Sequence, residues 1–455
     1  MTKIHYGSKF IIFLLTLSFI AGNDAIFTNG AASAQTDSPA PTLNPARLEP
    51  QRVLVFEKPF PNLSDAAINP NTGKLYLVNM SDAVGESSGG HVAVFHTTLN
   101  GAIAHSTNIP VSFYPSNLVI NPNTNTIYLL HNFNCPEGST VTVIDGNTDN
   151  VTGNIEDNMV MRNWAHGIYD ILVNPVINRI YVSNGTAMSI IDGNRNEVLD
   201  TIAIVAGGSS NLEDIKHEND KFVRLMAISP ENNLIYGVRE GNRTLAILDL
   251  RSNSIINTDT RLNAVLRENA IDSYPVDMII NSETSILYIM NQAIIPQHPD
   301  AGISIPTADI IAVNASTGEI ISESMAEVQS FHFDLTLDAK QNRLYALSGS
   351  NSFVAIDTSN NKVIGKFYFE TGELPNFYPR MVLNPETGIL YFVGSDAIIA
   401  ISTETLTSST NKDSVPVPEI ITDDGADLSL ALAISIGAGI TGIVAYLAFR
   451  KKRQP

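Results

Sequence analysis

Cysteine, tryptophan and positive charge are all scarce in this chain. Cys135 is the only cysteine among 455 residues, so no disulfide bond can form within the chain. Trp164 is the only tryptophan. Lys and Arg number 27 against 46 Asp and Glu, which gives a formal net charge of -19. Such an acidic surface lacks the basic contacts that phosphates require, so the composition excludes nucleic acid as a partner and favours cations or basic surfaces.

A tyrosine that follows Ile or Leu recurs seven times, at intervals of 46 to 57 residues. Each tyrosine comes after a short apolar run and a polar turn, often Asn-Pro, which indicates two β-strands joined by a tight turn. An apolar pair ending in Asp or a substitute follows in most repeats. Four strands per unit at this period predict an all-β fold, a seven-bladed β-propeller of four-stranded antiparallel blades. The tyrosines, expected to pack half-buried between blades, are Tyr76, Tyr128, Tyr181, Tyr236, Tyr288, Tyr345 and Tyr391.

The two ends of the chain predict export and membrane anchoring. Residues 1–34 contain two lysines, an apolar run and a small-x-small site before Gln35, as a secretory signal peptide does. Leu428 to Phe449 is an uncharged apolar stretch long enough to span a bilayer as a helix. The basic tail at 450–455 is expected to stay in the cytoplasm. We therefore expect a single-pass type I protein of the cell membrane with its propeller outside the cell.

The remaining boundaries follow from composition and repeat spacing. Residues 35–50 are predicted to be a flexible leader, 51–404 the propeller and 405–427 a stalk. Blades are expected to start near residues 62, 114, 166, 222, 274, 331 and 377. The last repeat lacks a fourth strand, and residues 51–60 are expected to supply it, which would remove the open sheet edges.

The repeats resemble the YVTN β-propeller family, known from archaeal surface-layer-like proteins. The segment from Tyr114 to Thr152 is the clearest copy, with Asn-Pro-x-Thr, Ile-Tyr and Val-Ile-Asp-Gly-Asn-Thr in order, and the resemblance covers roughly residues 62–402. It implies a secreted or surface-anchored propeller and brings no set of catalytic residues. Single blades depart from the pattern at Phe95-His96, Ser229-Pro230, Asn281-Ser282 and Asp338-Ala339.

Insertions are unevenly distributed between the two faces of the predicted propeller. Turns joining the first to the second strand and the third to the fourth lie on one face, here named the short-turn face. The other connections lie on the opposite face, here named the long-loop face, where binding residues are expected. It would point away from the membrane, because both chain ends are predicted to meet the propeller at the short-turn face. The insertions assigned to it are Ser81 to Gly90, His131 to Ser139, Val205 to Lys221 and Asn291 to Ala308.

One residue per blade, four positions before Asn-Pro or its substitute, begins the innermost strand. Carboxylates around a channel mouth would suit a hard cation such as calcium. The alternative, favoured on general grounds, is that they accept backbone N–H bonds from the neighbouring blade or pair with Arg380 or Arg224. The column consists of Asp65, Asn117, Asp170, Leu225, Asp277, Asp334 and Arg380, and all but Leu225 are candidate ligand-binding residues.

Histidines and the single cysteine suggest a weaker site, for zinc or copper. The candidate metal ligands are His131, Cys135, His166 and His332, which are predicted to lie in loops or blade joins of the long-loop face. His131 and Cys135, four residues apart, are the only close pair. The sequence has no Cys-x-x-Cys, His-x-x-x-His or His-Glu-x-x-His motif, so ordinary polar loop residues are the favoured interpretation and no cofactor is predicted.

Export would also expose acceptor sites for N-glycosylation. The six sequons lie at Asn62, Asn79, Asn150, Asn184, Asn242 and Asn314.

These features predict a membrane-anchored extracellular propeller that acts as a binding or cell-envelope interaction module through its long-loop face. Its expected partners are the membrane, other envelope proteins or glycans, and the sequence specifies no oligomeric state. It is not expected to be an enzyme. The alternative is a propeller lyase or lactonase, or a metal-binding surface protein, that uses His166, Asp170, Asp277 and His332 or other Asp and His residues at the channel mouth.

Overall fold

The structure is a computed structural model in which most of the repeat region is described. The described residues are 46–48, 51–55, 63–80, 89–131, 141–156, 170–185, 187–204, 223–239, 244–261, 272–296, 304–322, 325, 327–329, 334–347, 352–369, 380–394 and 397–406. The predicted signal segment, stalk and membrane helix lie outside them. Within these ranges there is no helix that is long and apolar enough to cross a membrane.

Seven sheets of antiparallel strands form the blades, so the predicted all-β, seven-bladed propeller is confirmed. In each blade the chain runs outward from the innermost first strand. The strands of blades 1 to 3 are Leu63–Ile68, Leu75–Asn79, His91–Thr97 and Ile103–Pro110; Pro115–Asn121, Thr126–His131, Val141–Asp145 and Asn150–Ile155; and Asp170–Asn174, Arg179–Ser183, Ala187–Asp192 and Glu197–Ala203. Those of blades 4 and 5 are Val223–Ser229, Leu234–Arg239, Thr244–Asp249 and Ser254–Arg261; and Asp272–Asn281, Ile286–Pro296, Ser304–Asn314 and Ile320–Ser322, with Glu327–Gln329 beside the third. Blade 6 contains Leu335–Asp338, Arg343–Leu347, Ser352–Asp357 and Lys362–Phe369, and blade 7 contains Arg380–Asn384, Ile389–Val393 and Ala397–Ser402.

Two short strands from the start of the described chain complete blade 7 and add a fifth strand to blade 6. Gln51–Val55 pairs antiparallel with Ala397–Ser402, so blade 7 contains strands from both ends of the repeat region. Ala46–Leu48 pairs in parallel with Lys362–Phe369, at the outer edge of blade 6. Part of the segment expected to be a flexible leader, residues 35–50, is therefore a strand here, because that outer edge offers backbone groups that a passing chain can pair with.

One predicted insertion is largely a pair of extended strands. The sequence assigned Asn291 to Ala308 to a loop of the long-loop face, but the hairpin of blade 5 stays paired out to Pro296 and Ser304. Branched residues in this segment, including Ile294 and Ile305, favour extended structure, which accounts for the difference.

The core lies between the blades, and the tyrosines are fully buried rather than half-buried. All seven have relative exposures of 0 to 2%. Tyr76 packs with residues of blades 1 and 2, and its hydroxyl donates to Asp149 Oδ1 at 2.8 Å. Tyr128 donates in the same way to Gly193 O, in the last turn of blade 3, at 3.3 Å. Each of these tyrosines therefore fastens its blade to the next one.

Asparagine side chains form hydrogen bonds within and between the turns of the short-turn face. Asn69 Oδ1 accepts the N–H of Asn71 at 3.0 Å, and Asn69 Nδ2 donates to Asn125 Oδ1 of blade 2 at 2.7 Å. Asn121 repeats the bond to the following blade through Asn178 at 2.7 Å. Asn125 and Asn178 have φ values of 53° and 48°, a left-handed conformation that Asn tolerates better than most residues. The abundance of asparagine thus follows from the turn geometry.

A buried ion pair joins blades 1 and 2 below this face. Lys74 Nζ lies 2.7 Å from Asp149 Oδ2, and each side chain is only 10% exposed. Lys74 also donates to the carbonyl of Asn147 at 3.2 Å. Asp149 accepts from Tyr76 as well, so its carboxylate is satisfied by two residues of the neighbouring blade.

Candidate functional site

Four of the five charged residues of the innermost column lie on four neighbouring blades. Asp277, Asp334, Arg380 and Asp65 belong to blades 5, 6, 7 and 1, which are consecutive around the closed ring. Arg380 lies between two of the carboxylates, with Nε 3.8 Å from Asp65 Oδ1 and Nη1 3.9 Å from Asp334 Oδ1. We name these four residues the mouth cluster: Asp65, Asp334 and Arg380 lie at or near the start of their innermost strands, on the long-loop face, and Asp277 occupies the same column in blade 5, within the longer strand Asp272–Asn281.

Backbone hydrogen bonds hold each carboxylate of the mouth cluster in place. Asp65 Oδ2 accepts the N–H of Leu118 from the next blade at 2.9 Å. Asp277 Oδ2 accepts from Leu335 at 2.7 Å, and Asp334 Oδ2 accepts from Met381. The structural role considered for this column, acceptance of backbone N–H groups across the blade joint, is therefore present in three blades. It fixes the carboxylates without neutralising their charge.

Electrostatics in the mouth cluster are dominated by burial. Desolvation raises the pKa of Asp65 and Asp277, against the opposing effect of Arg380. The pKa of Asp334 rises to about 7 through burial, with the charges of Asp277 and Asp65 adding to the effect and Arg380 opposing it. Burial disfavours the charge of Arg380, but the three carboxylates outweigh this and raise its pKa. One guanidinium therefore balances three carboxyl groups that resist ionisation.

The other members of the column lie in the blades between. Asn117 and Asp170 are half-buried on the innermost strands of blades 2 and 3. Leu225 occupies the position in blade 4 and separates Asp170 from Asp277 along the ring. The charge is therefore concentrated on one side of the mouth instead of being spread evenly around it.

Of the candidate metal ligands, only His131 lies within the described residues; Cys135, His166 and His332 lie outside them. His131 is 2% exposed, with Nδ1 3.0 Å from Phe113 O and Nε2 2.8 Å from Thr142 Oγ1. Burial lowers its pKa. Both ring nitrogens are already bonded within the protein. In the part of the chain that the structure describes, no group of three or more His, Cys, Asp or Glu side chains is arranged to hold a metal ion.

Sequence reasoning missed a second polar column, which lies three residues after each strand tyrosine. The polar side chain is buried in five successive blades, at the end of the second strand or just after it in blades 1 to 4 and within the extended second strand in blade 5. In blade 4, for example, Arg239 Nη1 donates to Thr244 Oγ1 at 3.2 Å. A count of three from each tyrosine would have found this column, which comprises Asn79, His131, Asn184, Arg239 and Asn291, with exposures of 0, 2, 7, 4 and 2%.

The predicted glycosylation sites differ in how far they are buried. Asn79 and Asn184 are buried, Asn314 accepts the N–H groups of Ser316 and Thr317 within its turn, and Asn150 is exposed. Asn62 and Asn242 lie outside the described residues.

Among the four described sequons, we expect glycan occupancy at Asn150 and none at Asn79 or Asn184 of the folded protein, because a bulky glycan on a buried amide nitrogen does not fit within the fold. Peptide mapping by mass spectrometry after expression in a glycosylating host would measure this. Occupancy at Asn79 of the folded protein would contradict the burial described here.

Comparison of the sequence with protein-family models gave no match, and comparison with curated proteins gave none either. Among solved structures, the chain is similar in fold to hydrazine synthase from Kuenenia stuttgartiensis, with a TM-score of 0.53 and 14% sequence identity. The match covers 77% of this chain and 97% of that one. At this identity the similarity shows the fold alone, and the chain is a seven-bladed β-propeller.

Proposed function

We propose that this protein is a membrane-anchored extracellular binding module, and that its long-loop face binds a cationic group of a partner in the cell envelope. The mouth cluster carries this proposal, because three carboxyl groups there face a single guanidinium, which forms ion pairs with only two of them. Clusters of acidic groups with perturbed pKa values are characteristic of functional sites. The export signal and anchor predicted from the sequence supply the location.

The mouth cluster favours a positively charged ligand for two reasons. The side chains of Asp65 and Asp334 remain 18% and 13% exposed, so a ligand can approach them from the channel mouth. Because the pKa of Asp334 is raised to about 7, its carboxyl group is mostly ionised only above that pH, and binding of a cation should strengthen as the pH rises through 7. The net charge of -19 would attract such a ligand from a distance.

An organic cation fits the mouth cluster better than calcium does. Calcium takes six to eight oxygen ligands at about 2.3–2.6 Å. Here each carboxylate comes from a different blade and already uses one oxygen for a backbone N–H of the neighbouring blade, and Asp65 and Asp277 use the other for the N–H of the next residue. A lysine or arginine side chain needs fewer oxygens and tolerates wider spacing, so a basic segment of an envelope protein is the proposed ligand.

A basic probe peptide tests this proposal. We expect deca-lysine to bind the full chain, purified in detergent, with an affinity that falls as salt rises. Asp334→Asn keeps an acceptor for the N–H of Met381 and removes the charge, and should weaken binding roughly 5- to 10-fold, equivalent to about 1–1.4 kcal/mol. Isothermal titration calorimetry would measure the change.

Glu231→Gln is the matched control, because Glu231 is an exposed acid on the short-turn face. It removes the same charge from the chain and should leave binding almost unchanged. Equal weakening by the two variants would show attraction by net charge alone and refute a site at the mouth.

Catalysis is the second candidate, and the pKa of Asp334 is the observation that favours it. A carboxyl group with a pKa of about 7 can exchange a proton near neutral pH, as a general acid or base of a lyase or lactonase must. Incubation with lactones and with uronate-containing glycans would test this. Turnover that is lost in Asp334→Asn would favour the enzyme over the binding module.

A further inference from the structure

A cleft of about 390 Å³ lies between blades 1 and 2, apart from the mouth cluster. Gly89, residues 110–113, Thr142, Val151 and Asn154 line it. This volume is within the range of small-molecule sites, roughly 300–1,000 Å³. None of these side chains carries a charge, so the cleft offers no partner for a charged ligand. Its chemistry therefore points to a neutral molecule.

The polar wall of the cleft is held in a defined state by buried His131. A carbonyl only accepts hydrogen bonds, so Nδ1 of His131 must donate to Phe113 O, at 3.0 Å. Burial favours the neutral ring, whose Nε2 then accepts from the hydroxyl of Thr142 at 2.8 Å. Asn154 Oδ1 is placed 2.9 Å from Thr142 Oγ1, which has no second proton to give to it. The proton count is therefore satisfied only with the Asn154 amide rotated by 180°, so that its NH2 group donates to Thr142 and its oxygen is left for a ligand that donates.

The rest of the lining includes apolar, partly exposed residues. Val151 is 41% exposed, and Phe113 lies in the connection between the two blades. Next to it, Tyr114 is 50% exposed, and its ring centroid is 6.4 Å from that of Phe113. The φ of Tyr114 is 55°, a left-handed conformation that is unfavourable for an aromatic residue and is found more often at functional sites.

Close backbone approach shapes the floor of the cleft. A Cβ atom placed on Gly89 would lie 2.3 Å from the carbonyl oxygen of Val111, so only glycine fits there. The N–H of Val111 donates to Gly90 O at 3.0 Å. The cleft is thus shaped by the connection between blade 1 and blade 2.

We propose that this cleft binds one neutral sugar residue of a glycan. A hydroxyl group of the sugar donates to the amide oxygen of Asn154, and the C–H face of the ring lies against Phe113 and Val151. A sugar has both hydroxyl groups and an apolar face. The hydroxyl groups match the polar residues of the cleft lining, and the apolar face matches Phe113 and Val151. The proposal does not depend on the cationic ligand of the mouth cluster.

Saturation-transfer NMR on the full chain, in a detergent without a sugar headgroup, tests this proposal. The probes are glucose, galactose, mannose and N-acetylglucosamine, with glucuronate as a charged comparison. We expect at least one neutral sugar to bind with a millimolar Kd and glucuronate to bind more weakly. Asn154→Ala should raise that Kd about 3- to 10-fold, the effect of one hydrogen bond.

Two further variants keep the test decisive. Asn150→Ala, an exposed change on the same outer strand and outside the cleft lining, should leave the Kd unchanged. Val151→Glu places a charge in the lining at a partly exposed position and should abolish binding without disturbing the core. The proposal is wrong if no neutral sugar binds at millimolar concentration, or if Asn154→Ala and Val151→Glu bind as the unmodified chain does.

Discussion

Replacing Lys74 with methionine is expected to lower the free energy of unfolding by about 3–5 kcal/mol, the cost of breaking a buried ion pair on one side. Methionine preserves the length of the side chain, so the loss reports the missing charge rather than a cavity. Asp149 would keep the hydroxyl of Tyr76, which burial holds in its protonated, donating form by raising the tyrosine pKa. That single bond cannot replace the ammonium group 2.7 Å away.

Denaturant unfolding of Lys74→Met would measure this effect. Lys340→Met is the matched control, because Lys340 pairs with Glu386 at 2.9 Å but both side chains are 65% exposed. The Lys340→Met substitution is expected to lower the free energy of unfolding by under about 1 kcal/mol. A double variant with Asp149→Asn should recover much of the loss, since Asn tolerates the φ of 57° at that position and leaves no buried charge. Equal costs for Lys74 and Lys340 would contradict the buried ion pair.

Replacing Arg380 with methionine is expected to destabilise the chain by about 3–5 kcal/mol at pH 8 and by much less at pH 5. Arg380 is the cation that opposes the raised pKa values of Asp65, Asp277 and Asp334. Without it, these carboxyl groups must either stay ionised with no counter-charge or remain protonated. At pH 5 Asp334, whose pKa is about 7, is largely protonated, so less is lost.

The sign of this pH dependence follows from linkage. Asp334 has a pKa of about 7 in the fold against about 3.9 when unfolded, so the folded state binds the proton more tightly. The stabilisation of the folded state by protonated Asp334 is fully present below about pH 4. It is lost as the pH rises through 7, by up to roughly 4 kcal/mol. Removal of Arg380 raises the pKa of Asp334 further and so widens the pH range over which this stabilisation is lost. Thermal unfolding of both proteins at pH 5 and pH 8 would measure the difference.

Arg251→Met serves as the control for Arg380, because Arg251 is exposed in a turn of the short-turn face. It should show neither the large loss at pH 8 nor its recovery at pH 5. A loss at Arg380 that does not change with pH would mean that packing, and not the three carboxyl groups, makes this arginine important.

The blade architecture could be predicted from the sequence because its signals are local. Tyr128 and its turn lie within a few residues of each other, and the same pattern returns in each blade. The extended hairpin of blade 5 was misjudged for the same reason, since Asn291 to Ala308 breaks the repeat length and was assigned to a loop. Pairing of Pro296 with Ser304 is a feature of two strands together and leaves no periodic signal in either one.

Only part of the candidate site could be predicted from the sequence. The spacing before Asn-Pro identified Asp65, Asp334 and Arg380, but only ring closure shows that blade 7 places Arg380 between the other two. His131 was predicted to lie in a loop and considered as a weak candidate metal ligand, whereas it ends a strand and both of its ring nitrogens are bonded. Partners across blade joints are about 50 residues or more distant in the chain, so no local pattern reveals them.

The strand that completes blade 7 has a consequence for biosynthesis. Gln51–Val55 leaves the ribosome early, and its partner Ala397–Ser402 follows roughly 340 residues later. Closing so long a loop costs about 5 kcal/mol of chain entropy, and such distant contacts form slowly. Throughout translation the early segment is an unpaired edge, exposed to other nascent chains. Premature termination before Ala397 would therefore leave an incomplete ring with two open edges, which is a substrate for aggregation and for quality-control proteases.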